Sequence, residues 1–153
     1  MNNMNNIITF LPFLSIFITG IFYPVGTYNH RPVFQPPNWF FGVAWTYITL
    51  SLGFITNKII QQKINDNIKK NILFLFILIL FLLNGWLVLN HYNLYKESFW
   101  LLVISCFTSI VYIIYLSSLN NYNSKNLVWF LLPLPFWLVL ASCLNGVIYD
   151  YNN

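Results

Sequence analysis

The chain has 153 residues, of which 58% are hydrophobic and only 7% charged. An ordinary soluble domain carries about 25% charged residues, so the composition excludes a water-covered globule and makes lipid the expected solvent. The formal net charge is +4, yet four of the seven basic residues lie between Lys58 and Lys70. That reads as a membrane-flanking loop, not the broad basic face that nucleic acid requires.

A helix needs about 20 mostly apolar residues to cross the hydrocarbon core. Five stretches meet this roughly, at 7–23, 39–60, 71–91, 98–119 and 127–149. They predict an all-α integral membrane bundle of five transmembrane helices, forming a single domain over 1–153. No Lys or Arg precedes the first stretch, so it lacks the positive flank of a secretory signal and reads as a retained helix. The connection to the second carries Pro24, Pro32, Pro36 and Pro37, which break any helix there. The other connections are short and polar, and the central part of each span is free of Lys, Arg, Asp and Glu, as the cost of charge in lipid demands. Lys58, Lys63, Lys69, Lys70 and Lys125 fall on the side of the N-terminus and Arg31 and Lys96 on the other, a bias toward a cytosolic N-terminus. Cys106 and Cys143 sit in apolar runs without a metal-binding spacing. They are expected to be small buried hydrophobes, with no metal site.

The most informative segment is Arg31-Pro-Val-Phe-Gln-Pro-Pro-Asn-Trp-Phe-Phe-Gly-Val-Ala-Trp45, followed by Gly53. Pro36 and Pro37 fix the chain as it enters the second helix. Trp39, Gly42, Thr46, Thr49 and Gly53 recur at helical spacing and share a face, where small residues let a helix or a flat ligand approach. On the fifth helix Trp137, Ala141 and Asn145 are spaced i, i+4, i+8, so a ring, a gap and an amide share one face. Asn84 is a lone amide ending a long apolar run. Plainer readings stand beside these. Trp39 and Trp129 suit an interface belt, Asn84 and Asn145 suit hydrogen-bond links between helices, and Thr46 and Thr49 suit bonds back to their own helix. His30 and His91 fall on one side of the membrane and read most simply as solvated interface residues, although they could reach a porphyrin's iron or propionate.

These residues resemble the signature of the TspO/MBR family, the translocator proteins also called tryptophan-rich sensory proteins or peripheral-type benzodiazepine receptors. A basic residue and Pro, an aromatic, Pro-Pro, Trp, Gly and a second Trp occur in order, and Pro133, Trp137, Ala141 and Leu144-Asn145 resemble its fifth-helix pattern. The resemblance implies a five-helix bundle whose cavity, closed by the first loop, binds porphyrins such as protoporphyrin IX and other hydrophobic ligands, for sensing, transport or buffering. It implies a ligand set of Arg31, Phe34, Trp39, Trp45, Trp137, Ala141 and Asn145, to which the reading of the polar helix faces adds Asn84. Arg31, the sole arginine, is the natural partner of a porphyrin carboxylate. Porphyrin is then a ligand and no cofactor is required. The expected partners are this ligand and the bilayer, with no nucleic acid and a homodimer left open.

Two further functions are carried. Some members are credited with light-dependent porphyrin degradation, for which Trp45 and Trp137 would be the active residues; no other catalytic group is expected. Phe34, Thr49 and Leu134 depart from the family's usual aromatics, which motivates a structural or regulatory membrane protein without ligand binding. The sterol motif of animal members is incomplete, because Asp150 follows Tyr149. The expected location is a multi-pass membrane one: mitochondrial outer or another organelle's membrane in a eukaryote, the cell membrane in a bacterium.

Overall fold

A computed structural model describes residues 2–25, 32–119 and 125–152, with side chains at 7–25, 32–119 and 126–151. The described residues form α1 (Asn2–Phe22), α2 (Asn38–Ile60), α3 (Asp66–His91), α4 (Tyr95–Ser118) and α5 (Pro133–Asn152), the last led in by a helical turn over Lys125–Val128 and a 3-10 turn over Trp129–Leu131. Four apolar helical stretches, the fourth running from Asn126 to Tyr151, are long enough to cross a membrane, and Ile7–Phe22 is a shorter apolar helix. The chain is therefore a multi-pass helical membrane protein.

The elements begin and end where local chemistry requires. Pro37 caps α2 in an extended conformation, the geometry its ring enforces. Helix α3 starts at Asp66, a turn earlier than its apolar run, because the Asn65 side chain accepts a hydrogen bond from the Asn67 amide at 2.9 Å. Such a cap supplies a partner to an otherwise orphan donor. At the other end of α3, Asn93 adopts a positive φ of 60°, and the Leu94 amide donates back to the Leu89 carbonyl at 3.0 Å. This closes the helix in a tight C-terminal motif and lets α4 start at Tyr95. Pro133 has no amide hydrogen for the Trp129 carbonyl; that carbonyl accepts instead from Leu132 at 3.1 Å, which tightens the chain into the 3-10 turn before α5.

Helix α1 packs on α2 and α3, α3 on α4, and α4 on α5, while α2 and α5 touch more sparingly. The helices thus close a ring in the order α1, α2, α5, α4, α3. At the α1–α2 seam Gly53 is indispensable. A Cβ there would lie 2.8 Å from the Thr9 carbonyl carbon and 2.9 Å from the Ile8 oxygen, and closer still to the Thr9 oxygen. Pro12 leaves that Ile8 carbonyl without its usual helical donor. Beside this contact the Asn57 amide donates to the Thr9 hydroxyl at 2.8 Å. The buried Thr56–Tyr112 hydroxyl pair, 2.7 Å apart, joins α2 to α4. Thr46 and Thr49 bond back to the carbonyls of Gly42 and Trp45 at 2.8 and 2.7 Å. The cysteines depart from expectation: Cys106 is half-buried and Cys143 exposed, because Cys143 lies off the face of α5 that carries Trp137, Ala141 and Asn145.

Candidate functional site

A cavity of about 590 Å³ lies inside the bundle. Its walls come from the C-terminal half of α1 (Ile16 to Ile21) and Val25, from the N-terminal half of α2 (Asn38, Phe41, Trp45), from the end of α3 (Trp86, Leu87) and from α5 (Trp137 to Ile148). The chain reverses direction at each loop, so these segments all lie toward the α1–α2 loop, away from the lysines at 58–70.

Three indoles form the aromatic wall. Trp45 and Trp86 stack with centroids 5.6 Å apart and planes inclined by 23°. Trp137 meets Trp45 edge-on at 6.2 Å, and Phe41 meets Trp137 edge-on at 5.2 Å. Offset and edge-to-face pairs of this kind contribute about 0.5–1.5 kcal/mol beyond area burial, so each ring helps to hold its neighbour in place.

The polar groups are few and ordered. Asn145 Oδ1 accepts from Asn90 Nδ2 at 2.9 Å and Ser98 Oγ at 3.0 Å, with a longer contact from Trp86 Nε1 at 3.5 Å. Its own amide donates to the Ala141 carbonyl at 3.0 Å. Asn145 thereby links α3, α4 and α5 at the cavity wall. By contrast, Gln35 Oε1 and Trp137 Nε1 are buried without a hydrogen-bond partner among the described residues. An acceptor and a donor, both belonging to cavity-lining residues, therefore keep unused bonding capacity.

Of the residues expected to bind ligand, Trp45, Trp137, Ala141 and Asn145 line the cavity. Phe34 and Trp39 do not line it; they are 52% and 69% exposed, Trp39 at the start of α2. Asn84 is turned to α1: its amide donates to Ser15 Oγ at 3.0 Å and to the Leu80 carbonyl at 2.7 Å, and its carbonyl accepts from Thr19 Oγ1 at 2.5 Å. Arg31 and His30 lie outside the described residues. His91 Nδ1 donates to the Pro24 carbonyl at 2.9 Å, and its ring meets Tyr23 edge-on at 5.6 Å, so from a partly exposed position it also holds the end of α1. Sequence reading passed over Trp86, Phe41, Gln35, Asn38 and Gly20 as lining residues. For Trp86 and Phe41 the aromatic character was a signal, but not the direction each ring takes.

Fold and cavity define a helical membrane protein built around an aromatic-walled internal chamber. The family model that describes such chains, TspO/MBR family, matches residues 8–150, and the chain belongs to that family. No curated protein matches the chain.

Proposed function

We propose that the protein binds a flat, largely apolar ligand, a tetrapyrrole such as protoporphyrin IX, in the cavity between α1, α2, α3 and α5, for sensing, transport or buffering. The observation that carries this reading is the chamber itself: about 590 Å³, within the roughly 300–1,000 Å³ of small-molecule sites, walled by the Trp45–Trp86 stack and Trp137. A tetrapyrrole disc stacks on such walls. A protonated carboxyl at its edge suits the unpartnered Gln35 Oε1, and a carboxyl oxygen suits the Trp137 N–H. Each of these buried groups costs about 1–3 kcal/mol while unmet, which ligand binding would recover. Arg31 is proposed to pair with a propionate at the rim.

The test is quenching of tryptophan fluorescence by protoporphyrin IX in the dark, on detergent-solubilised protein. Saturable quenching that Trp137→Ala weakens at least tenfold supports the reading. Quenching that is absent, or unchanged by the substitution, overturns it and favours the regulatory role. A second reading, light-dependent breakdown of the bound porphyrin, is favoured by the direct contact of three oxidisable indoles. It requires a new product on illumination in air that Trp137→Phe abolishes while dark binding survives.

A further inference from the structure

We propose that the cavity is loaded sideways from the bilayer, through the seam between α1 and α2 at Gly20 and Gly42, so that its ligand is a molecule dissolved in the membrane. This rests on the ligand-binding reading above and adds the route and the physical state of the ligand.

The seam is tight at one end and open at the other. At the tight end Gly53 of α2 touches the backbone of Thr9 and Ile8 of α1. Eleven residues make about three helical turns, which return to nearly the same face. Counting eleven back along α2 from Gly53 gives Gly42, and eleven forward along α1 from Thr9 gives Gly20. These two glycines are therefore the antiparallel counterparts of the Gly53–Thr9 contact, three turns away. Among the described residues, a Cβ added at either one meets no atom within 4 Å. Two helices in backbone contact at one end thus have unfilled space at the other, on the same pair of faces.

The open stretch leads into the cavity. Gly20 lines it, with Phe17 and Ile21 on either side. Phe17 and Ile21 are 57% and 61% exposed, whereas Trp86, Trp137, Leu144 and Ile148, which line the same cavity, are at most 7% exposed. The far wall is sealed, and the α1 residues sit at a lip where the chamber meets the outside. The α1 side of the lip is apolar, and in a membrane its outside is acyl chain. An apolar molecule crosses there without taking up or shedding water.

The gap opens toward α2 because α1 is held to α3. Thr19 donates to Asn84, and the Pro24 carbonyl accepts from His91. These two clasps bracket Gly20 and fix that edge of the opening.

The experiment places the protein in lipid nanodiscs and follows tryptophan quenching by protoporphyrin IX in stopped flow. Gly42→Leu fills the seam without lining the cavity, and a Cβ added there meets no atom of the described residues. It is expected to slow association and dissociation together, roughly tenfold, with Kd changed less than about threefold, as a steric gate does. In the unsubstituted protein, a porphyrin joined through one propionate to a phospholipid, which cannot leave the disc, should still quench saturably, and Gly42→Leu should slow it by a similar factor. Saturable quenching by free porphyrin whose rates ignore Gly42→Leu, or a lipid-held porphyrin that fails to quench where free porphyrin does, overturns the lateral route and leaves the binding reading standing. Absence of saturable quenching by free porphyrin in the unsubstituted protein overturns the binding reading, and the route with it. Should Gly42→Leu fail to fold, the lipid-held probe decides alone.

Discussion

Trp86 lies flat against Trp45, with ring centroids 5.6 Å apart, and its indole N–H points to Asn145 Oδ1 at 3.5 Å. One residue of α3 thus supplies both the second layer of the aromatic wall and a donor to the polar node on α5. Trp86→Leu is expected to weaken porphyrin binding by about three- to tenfold, the equivalent of one stacked pair, while Trp129→Leu, on a residue 66% exposed at the other end of the bundle, leaves it unchanged. Fluorescence titration of the two variants checks this.

The node at Asn145 has an asymmetry that stability measurements can read. Asn145→Ala removes one acceptor shared by Asn90, Ser98 and Trp86, so buried donors on two helices lose it together. Asn90→Ala leaves that acceptor still served by Ser98. A stranded buried polar group costs about 1–3 kcal/mol. Asn145→Ala should therefore lower the midpoint of thermal unfolding in detergent clearly more than Asn90→Ala. An equal loss would mean that the node does not act as a unit.

The glycines of the α1–α2 seam should also separate. Gly53→Ala drives a methyl group into the Thr9 carbonyl, a backbone atom that cannot turn aside. Overpacking of this kind costs about 1–3 kcal/mol. Gly42→Ala meets no atom of the described residues and should match or exceed the parent stability, since alanine favours the helix by up to about 1 kcal/mol. Parallel thermal melts of the two variants give the comparison.

Much of the fold was legible because lipid imposes strict rules on a sequence. Apolar runs of spanning length, the Pro24–Pro37 break and the short polar links follow from desolvation alone. The face shared by Trp137, Ala141 and Asn145 was legible too, since helical geometry places i, i+4 and i+8 together whatever surrounds them. The early start of α3 was hidden, because the Asn65 cap extends the helix beyond its apolar run.

What the tertiary structure alone decided is which way each helix turns. Asn84 and Trp86 are two residues apart and so point about 200° apart around α3; one had to face the cavity and the other a neighbour. The sequence drew attention to the amide, and the fold put the indole in the wall and gave Asn84 to Ser15 and Thr19 of α1. The run of α3 from Ile72 to Leu83 is apolar on every side, so those residues do not choose the helix's rotation. The choice is made where α1, α4 and α5 pack against it, since only there do polar groups find partners. Gly42 and Gly53 show the same division: they share a face by periodicity, but the approach of α1 closes one and leaves the other open.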